Sequence, residues 1–268
     1  MSTCAAPATT TRRMTMTLDE TIQKLIDLKL HALAKSLREM MEMPPDRQLS
    51  FEDKLGLLVD QEWTSRENRR VSRRVQEAKL SVRAAPEEIL CDSARGIEHG
   101  TLRELSSCQW VRSHHNLLLL GATGVGKSFL ASALANAAIR QGFRALFMRV
   151  PRLLEQLAIA RASADYSAML ARLAKIDVLI LDDFLLAPMT DVERRDLLEV
   201  LEDRYGKRST ILTSQLPTKS WHESLGDQTI ADAICDRLVH NAHVLTLRGS
   251  SMRRQKGLKP QPETQPTV

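Results

Sequence analysis

Residues 117–130 read LLLLGATGVGKSFL. An aliphatic run enters a glycine-rich loop, the loop ends Gly126-Lys127-Ser128, and a helix-competent apolar stretch follows. The loop fits G-x-x-x-x-G-K-[ST], and the chemistry explains the residue types. Backbone N–H groups can wrap phosphate oxygens only where glycines tolerate unusual dihedrals. The helix that follows turns its positive end toward the same anion. This assigns phosphate binding to Gly121, Ala122, Thr123, Gly124, Val125, Gly126, Lys127, Ser128 and Phe129. Lys127 is expected to bridge the terminal phosphates and the Ser128 hydroxyl to hold Mg²⁺, with ATP as the nucleotide. The bland alternative is a glycine turn that happens to precede Lys-Ser.

Outward from the loop, short aliphatic runs at 115–120, 145–150, 177–181, 210–214 and 243–247 alternate with helical stretches. That rhythm predicts an α/β domain with a five-stranded parallel sheet and crossover helices. The third run, Asp177-Val-Leu-Ile-Leu-Asp182-Asp183, ends in two carboxylates. Downstream of a phosphate loop it predicts a Walker B strand, with Asp182 in the Mg²⁺ shell and Asp183 polarising the attacking water. Aspartate is shorter than the glutamate often found there. A solvated strand-end pair and a two-metal nuclease centre are the competing readings, and the nuclease needs further carboxylates to converge. The fourth run, Thr210-Ile-Leu-Thr-Ser-Gln215, places either Gln215 or Ser214 to sense the γ-phosphate, unless it is an ordinary strand-to-loop passage. Arg237 follows an Ala/Ile helix and is a candidate finger on a neighbouring subunit's nucleotide. Thr190-x-x-Glu193 and Gly206 bound a helix over 191–205.

The region before the sheet reads as all-helical from 17 to about 95. Thr17-Leu-Asp-Glu20 is a capping box. Ile22, Ile26, Leu30, Leu33, Leu37 and Met40 then predict one apolar helix face that ends at Met43-Pro44-Pro45-Asp46. Ser50-Phe-Glu-Asp53 opens a second helix running to about residue 80, and Pro86 a third, shorter one. On the second helix Arg66, Arg69, Arg70, Arg73 and Arg74 share one face, with only Glu67 and Glu77 of opposite sign between 66 and 83. Such a stripe suits contact with a phosphate backbone or an acidic interface. The alternative is a solvated face paired with acidic neighbours. No aromatics interleave the arginines, so base-specific readout is not indicated.

The expected organisation is an unstructured 1–16, a helical domain over 17–95, a nucleotide domain over 96–248 and a basic tail over 249–268. Net charge is +5, compatible with a polyanionic partner. Hydrophobic residues make up 43% of the chain and aromatics 4%, so aliphatic packing fills the core. The cysteines, Cys4, Cys91, Cys108 and Cys235, form no Cys-x-x-Cys pair, which argues against a zinc ribbon or a disulfide scaffold and for a reducing, cytoplasmic setting. No apolar run has the length of a membrane span. His114-His115 and His240-x-x-His243 lack a Cys or carboxylate partner at ligand spacing and read as packing or surface histidines.

Taken in order, these stretches resemble the IstB-like AAA+ ATPases, helper proteins encoded beside the transposase in insertion sequences. The resemblance runs from about Thr17 to Arg254. Leu49-Ser-Phe-Glu, GATGVGKS, PRLLEQLAIA at 151–160, ERRDLLEVLEDRYGKRSTILTSQLP at 193–217, WHESLGDQTIADAICDRLVHNAH at 221–243 and GSSMR at 249–253 carry it. It implies an AAA+ P-loop core behind a small helical domain. It also implies ATP-dependent homo-oligomers on double-stranded DNA with little sequence preference, and recruitment of a cognate transposase without strand cutting. By the same resemblance Gln215 takes the sensor-one position, Arg237 the arginine finger and Arg253 a sensor-two-like role. The related DnaC-type helicase loaders give a second reading, and a small-molecule kinase on the same loop a third. The sequence departs from its relatives at Ala122, where proline is common, and at Leu185-Leu186, where glycine is common.

Overall fold

The computed structural model describes residues 17–42 and 49–252. The chain divides into two compact units, one up to Arg70 and one from Val71. The boundary expected near residue 95 therefore lies earlier, inside a helix. Residues 71–95 belong with the nucleotide domain because Ala78, Ile89 and Cys91 pack in its core. The expectations for 1–16, for the Pro44-Pro45 break and for the tail beyond Met252 lie outside the described residues.

In the first unit, α1 (Leu18–Asp27) and α2 (His31–Glu42) replace the single helix read from the periodicity. The Thr17–Glu20 capping box forms as expected. The chain then reverses through Lys29, whose φ is 59°. Its N–H donates to the Ile26 carbonyl at 2.8 Å, and the Leu30 N–H to Leu25 at 2.8 Å. The turn is short enough to keep the apolar spacing in step, and no glycine marks it. Helix α3 (Phe51–Glu77) begins at Ser50, which exchanges hydrogen bonds with Asp53. Buried Glu62 on α3 caps α2 by accepting from the Ala32 and Leu33 N–H groups at 2.9 and 3.1 Å.

In the second unit, Pro86–Glu88 forms one 3₁₀ turn where a short helix was expected. Helices α4 (His99–Ser106) and α5 (Gln109–Arg112) lead into β1 (Asn116–Leu120). There follow α6 (Lys127–Arg140), β2 (Ala145–Arg149), α7 (Val150–Ala162), α8 (Tyr166–Ala174) and β3 (Val178–Phe184). Then come α9 (Asp191–Arg204), β4 (Ser209–Ser214), α10 (Trp221–Leu225), α11 (Gln228–Val239) and β5 (Ala242–Thr246). The five strands pair in parallel in the order β2-β3-β4-β1-β5. All five expected strands and the 191–205 helix are present within a few residues.

The run of leucines now has a reason. Leu117 and Leu119 point into one core, Leu118 and Leu120 into the other. A parallel strand covered by helices on both faces has no polar side, so it reads as an unbroken aliphatic run. The order also puts β1 between β4 and β5, with the loop after β1 opening at the carboxyl edge of the sheet. Ligands of open α/β sheets bind at that edge.

Candidate nucleotide-binding site

The loop from Gly121 to Gly126 joins β1 to α6, and its glycines are needed. Gly121 has φ 142° and Gly124 φ 87°. A Cβ on Gly121 would lie 2.3 Å from the Leu247 carbonyl oxygen, and one on Gly124 2.3 Å from Ser251 Oγ. The Gly121 N–H donates to the Ser214 carbonyl, tying the loop to the end of β4. Lys127 is buried, and its Nζ donates to the Gly121 and Ala122 carbonyls at 2.8 and 2.9 Å. Its ammonium thus lies over the loop, where it would meet phosphate oxygens. Ser128 and Phe129 complete the first turn of α6.

Ser128 Oγ reaches both oxygens of Asp182, at 2.9 and 3.0 Å. A hydroxyl and a carboxylate from two different elements are brought together at the mouth of the loop, as the sequence predicts. They fit Mg²⁺, which is held by one or two protein oxygens and completes its shell with water and phosphate. Asp182 is buried and also accepts from Thr213 Oγ1 at 2.5 Å. The same hydroxyl accepts the Asp183 N–H at 3.1 Å. Thr213 is a site residue that the sequence reading missed. No local signal singled it out, since Ser209, Thr210 and Ser214 of the same strand also carry hydroxyls.

Asp183 sits where β3 slips register against β4, between Leu181 and Phe184, and has φ 59°. The irregularity turns successive carboxylates apart. Asp182 faces Ser128, while Asp183 forms an ion pair with Arg149, Nη2 to Oδ2 at 2.7 Å and Nε to Oδ2 at 2.8 Å. Arg149 ends β2 and stands in register with Asp182, a juxtaposition no local pattern announces. Leu185, at φ 56°, stands in the left-handed region that a glycine would occupy without strain. The departure noted at Leu185-Leu186 thus has a backbone counterpart.

The remaining candidates separate by position. Gln215 is exposed one residue past β4. Ser214 is committed to structure: it donates to the Phe184 carbonyl at 3.1 Å and accepts from the Leu216 N–H at 3.2 Å. That leaves Gln215 as the polar group at this strand end free of such a structural duty. Arg237 does not stand at the nucleotide site of its own chain. Its carbonyl accepts from Asn116 Nδ2 at 2.9 Å, at the start of β1, whereas the loop follows the end of β1. The strand separates them by roughly 17 Å at ~3.3 Å per residue. Its side chain pairs with Glu202 and, at 3.6 Å, with Asp236, and its Nε is buried without an acceptor. Arg253 lies outside the described residues.

On α3 the arginine stripe is paired more than expected. Arg66 and Arg69 meet Glu62 at 2.8 and 3.6 Å, Arg70 meets Glu67 at 3.0 Å, and Arg73 meets Glu77 at 2.8 Å. Arg74 is half-buried beside Gly142. His115 and His243 touch, ring nitrogens 3.4 Å apart. Among the described residues no group of three or more His, Cys, Asp or Glu is placed to hold a metal. No helix among the described residues is long and apolar enough to cross a membrane.

The family described as IstB-like ATP binding protein matches residues 23–260. An insertion sequence ATP-binding protein of Sinorhizobium fredii, y4pL, is 45% identical over 239 residues, covering 89% of this chain and 98% of the relative. The IS1162 ATP-binding protein of Pseudomonas fluorescens is 46% identical over 207 residues, covering 76% of this chain and 89% of the relative. Among solved structures, the DnaC helicase loader superposes with a TM-score of 0.53 at 19% identity, covering 64% of this chain and 100% of the loader. At that identity the likeness speaks for the AAA+ fold.

Proposed function

This chain belongs to the family of IstB-like ATP-binding proteins and is an AAA+ ATPase, and from that premise we propose that it is the DNA-binding ATPase of an insertion sequence. In this reading it assembles on double-stranded DNA with little sequence preference and recruits and activates its transposase. The loop amides and Lys127 hold the phosphates of ATP, and Ser128 and Asp182 hold Mg²⁺. Mg²⁺ supplies charge neutralisation at the phosphates. Asp183 orients water once Arg149 releases it, and Gln215 and Arg253 sense the nucleotide.

The observation that carries the assembly step is the placement of Arg237. It stands at the opposite edge of the sheet from its own phosphate loop. A cation there can reach a nucleotide only across a subunit contact. Its ion pair with Glu202, whose side chain is 46% exposed, is one that a neighbour's phosphate can replace. ATP then joins protomers, and hydrolysis loosens them. The arginines of α3 supply the DNA contact, Arg70 and Arg73 most readily, since their pairs with Glu67 and Glu77 are exposed and such pairs contribute only about 0–1 kcal/mol and yield to phosphate. The relatives are insertion-sequence proteins, which favours this reading over a helicase loader, for which only the fold speaks.

The test is the mass in solution and the ATPase rate, each with and without duplex DNA. The expected result is a mass that rises with ATP and DNA, turnover that responds to DNA, and loss of both in Lys127→Ala. A mass indifferent to ATP, or turnover that responds to a small acceptor and not to DNA, refutes the proposal.

A further inference from the structure

A peptide unit is planar and trans, so a carbonyl and the N–H that follows it point opposite ways. A donor that holds a loop carbonyl on the outside thereby aims the next N–H to the inside. Two peptides of the phosphate loop are held in this way by groups that do not belong to the loop. Arg95 Nη2 donates to the Val125 carbonyl at 3.0 Å, which fixes the direction of the Gly126 N–H. The Met252 N–H donates to the Gly124 carbonyl at 2.9 Å, which fixes the Val125 N–H.

The two braces are joined to each other and to the sheet. The Arg248 N–H donates to the Arg95 carbonyl at 3.0 Å, and the Leu247 N–H to the Leu120 carbonyl at 2.7 Å. Arg95 Cγ lies 3.7 Å from where a Cβ on Gly249 would stand. Gly124 and Gly126, at φ 87° and 105°, have the conformational freedom that makes an unbraced loop entropically costly to order. Holding it beforehand removes that cost from binding.

We propose that Arg95 is a positioning residue of the nucleotide site. Together with the segment 247–252 it keeps the phosphate loop in its binding form, so nucleotide affinity depends on docking of the segment that follows β5. The inference rests on the ATP reading above. Linkage is reciprocal, so bound nucleotide tightens that segment by the same factor.

The experiment titrates the full chain with fluorescent ADP and Mg²⁺ at low and high salt, for wild type, Arg95→Gln, Arg95→Lys and Met252→Pro. Arg95→Gln is expected to raise the ADP Kd about tenfold, the scale of one charge-assisted hydrogen bond. The factor should be the same at both salt concentrations, because orientation is not screened as charge is. Arg95→Lys keeps a donor and recovers most of the affinity. Met252→Pro deletes the other donor and weakens binding in the same sense. Hydrogen exchange across 247–252 should slow on ADP addition in wild type and not in Arg95→Gln. An unchanged Kd in Arg95→Gln overturns the inference, as does a loss that disappears at high salt. If Arg95→Gln does not fold, an unchanged Kd in Met252→Pro overturns it. A wild type that fails to bind ADP defeats the nucleotide reading itself, whereas variants that bind as wild type does defeat only this inference.

Discussion

Replacing Thr213 with valine isolates the hydroxyl that ties the Asp182 carboxylate to the Asp183 backbone N–H. Thr213 is fully buried, and valine fills nearly the same space, so no cavity term enters. The hydroxyl donates to Asp182 at 2.5 Å and accepts the Asp183 N–H at 3.1 Å. A hydrogen bond to a charged group contributes about 1.5–3 kcal/mol, and a part-buried N–H left without a partner costs about 1 kcal/mol or more. Thr213→Val should therefore destabilise the nucleotide domain by about 3 kcal/mol. For a unit of this size each kcal/mol lowers the melting temperature by ~2–4 °C, which gives ~6–12 °C. Calorimetry of the full chain, following the transition of that unit, measures it. Thr213→Ser keeps the hydroxyl and loses only a methyl group, so its deficit should be clearly smaller. The functional consequence is separate. With one donor gone, Asp182 is held by Ser128 alone, and the gain in ADP affinity on adding Mg²⁺ should shrink. A melting shift below ~2 °C, or a serine variant as destabilised as the valine one, would refute the claim that this hydroxyl holds the Asp182 carboxylate and the Asp183 backbone together.

Arg237→Ala should leave nucleotide binding by the monomer intact and lower turnover by about a thousandfold, the usual scale for an arginine finger; lost binding would sink the role. Replacing Arg69, Arg70 and Arg73 with alanine should weaken DNA affinity and flatten its logarithmic salt dependence by up to about 0.9 per phosphate contact removed. An unchanged slope takes α3 out of the DNA interface. Glu62 should contribute to the acid sensitivity of the first unit. Burial pushes its carboxyl up, but hydrogen bonds from Arg66 and from the Leu33 and Ala32 N–H groups outweigh this and hold it below the usual 4.5. A depressed carboxyl contributes stability that is complete above 4.5 and is lost as pH falls through the folded value. Acid titration of the α1–α2 helical signal should show that loss in wild type and not in Glu62→Gln, which is weaker at neutral pH from the start; matching profiles would refute it.

What the sequence announced was local. The phosphate loop, the Asp182 strand end and the Thr17 and Thr190 caps each lie within a few residues of chain. Their residue types answer a backbone requirement at that same spot. What it concealed was made by register and packing. Arg149 meets Asp183 because β2 and β3 pair in one register and β3 bulges. Thr213 meets Asp182 from the neighbouring strand, and Arg95 meets Val125 from a turn well before the loop. The reversal at Lys29 escaped notice because an apolar series keeps its spacing through so short a turn. The unit boundary at Arg70 escaped for the same kind of reason: α3 crosses it without a change of pattern. The arginine stripe, read with Glu67 and Glu77 as its acidic neighbours, gave no sign that Glu62, one turn before it, pairs with Arg66 and Arg69.

The position of β4 fits the sensing role proposed for Gln215. Asp182 takes hydrogen bonds from Ser128 of the loop and Thr213 of β4, and the Gly121 N–H returns to the Ser214 carbonyl. Loop, β3 and β4 thus form one closed ring of hydrogen bonds. Ser214 adds contacts to Phe184 and Leu216, so the end of β4 cannot shift without disturbing β3. Gln215 is mounted on that end. In the reading proposed above, a change in what its amide touches passes along β4 to Thr213, and from there to the Asp182 carboxylate and the Asp183 backbone N–H. On the other side of the loop, Arg95 and the segment 247–252 are a second set of contacts, closed by the Leu247–Leu120 hydrogen bond. The phosphate loop is therefore held from two directions, by the end of β4 and by Arg95 with the segment 247–252. In the proposed reading, each is a place where assembly with another subunit or with DNA would alter affinity without touching the phosphates.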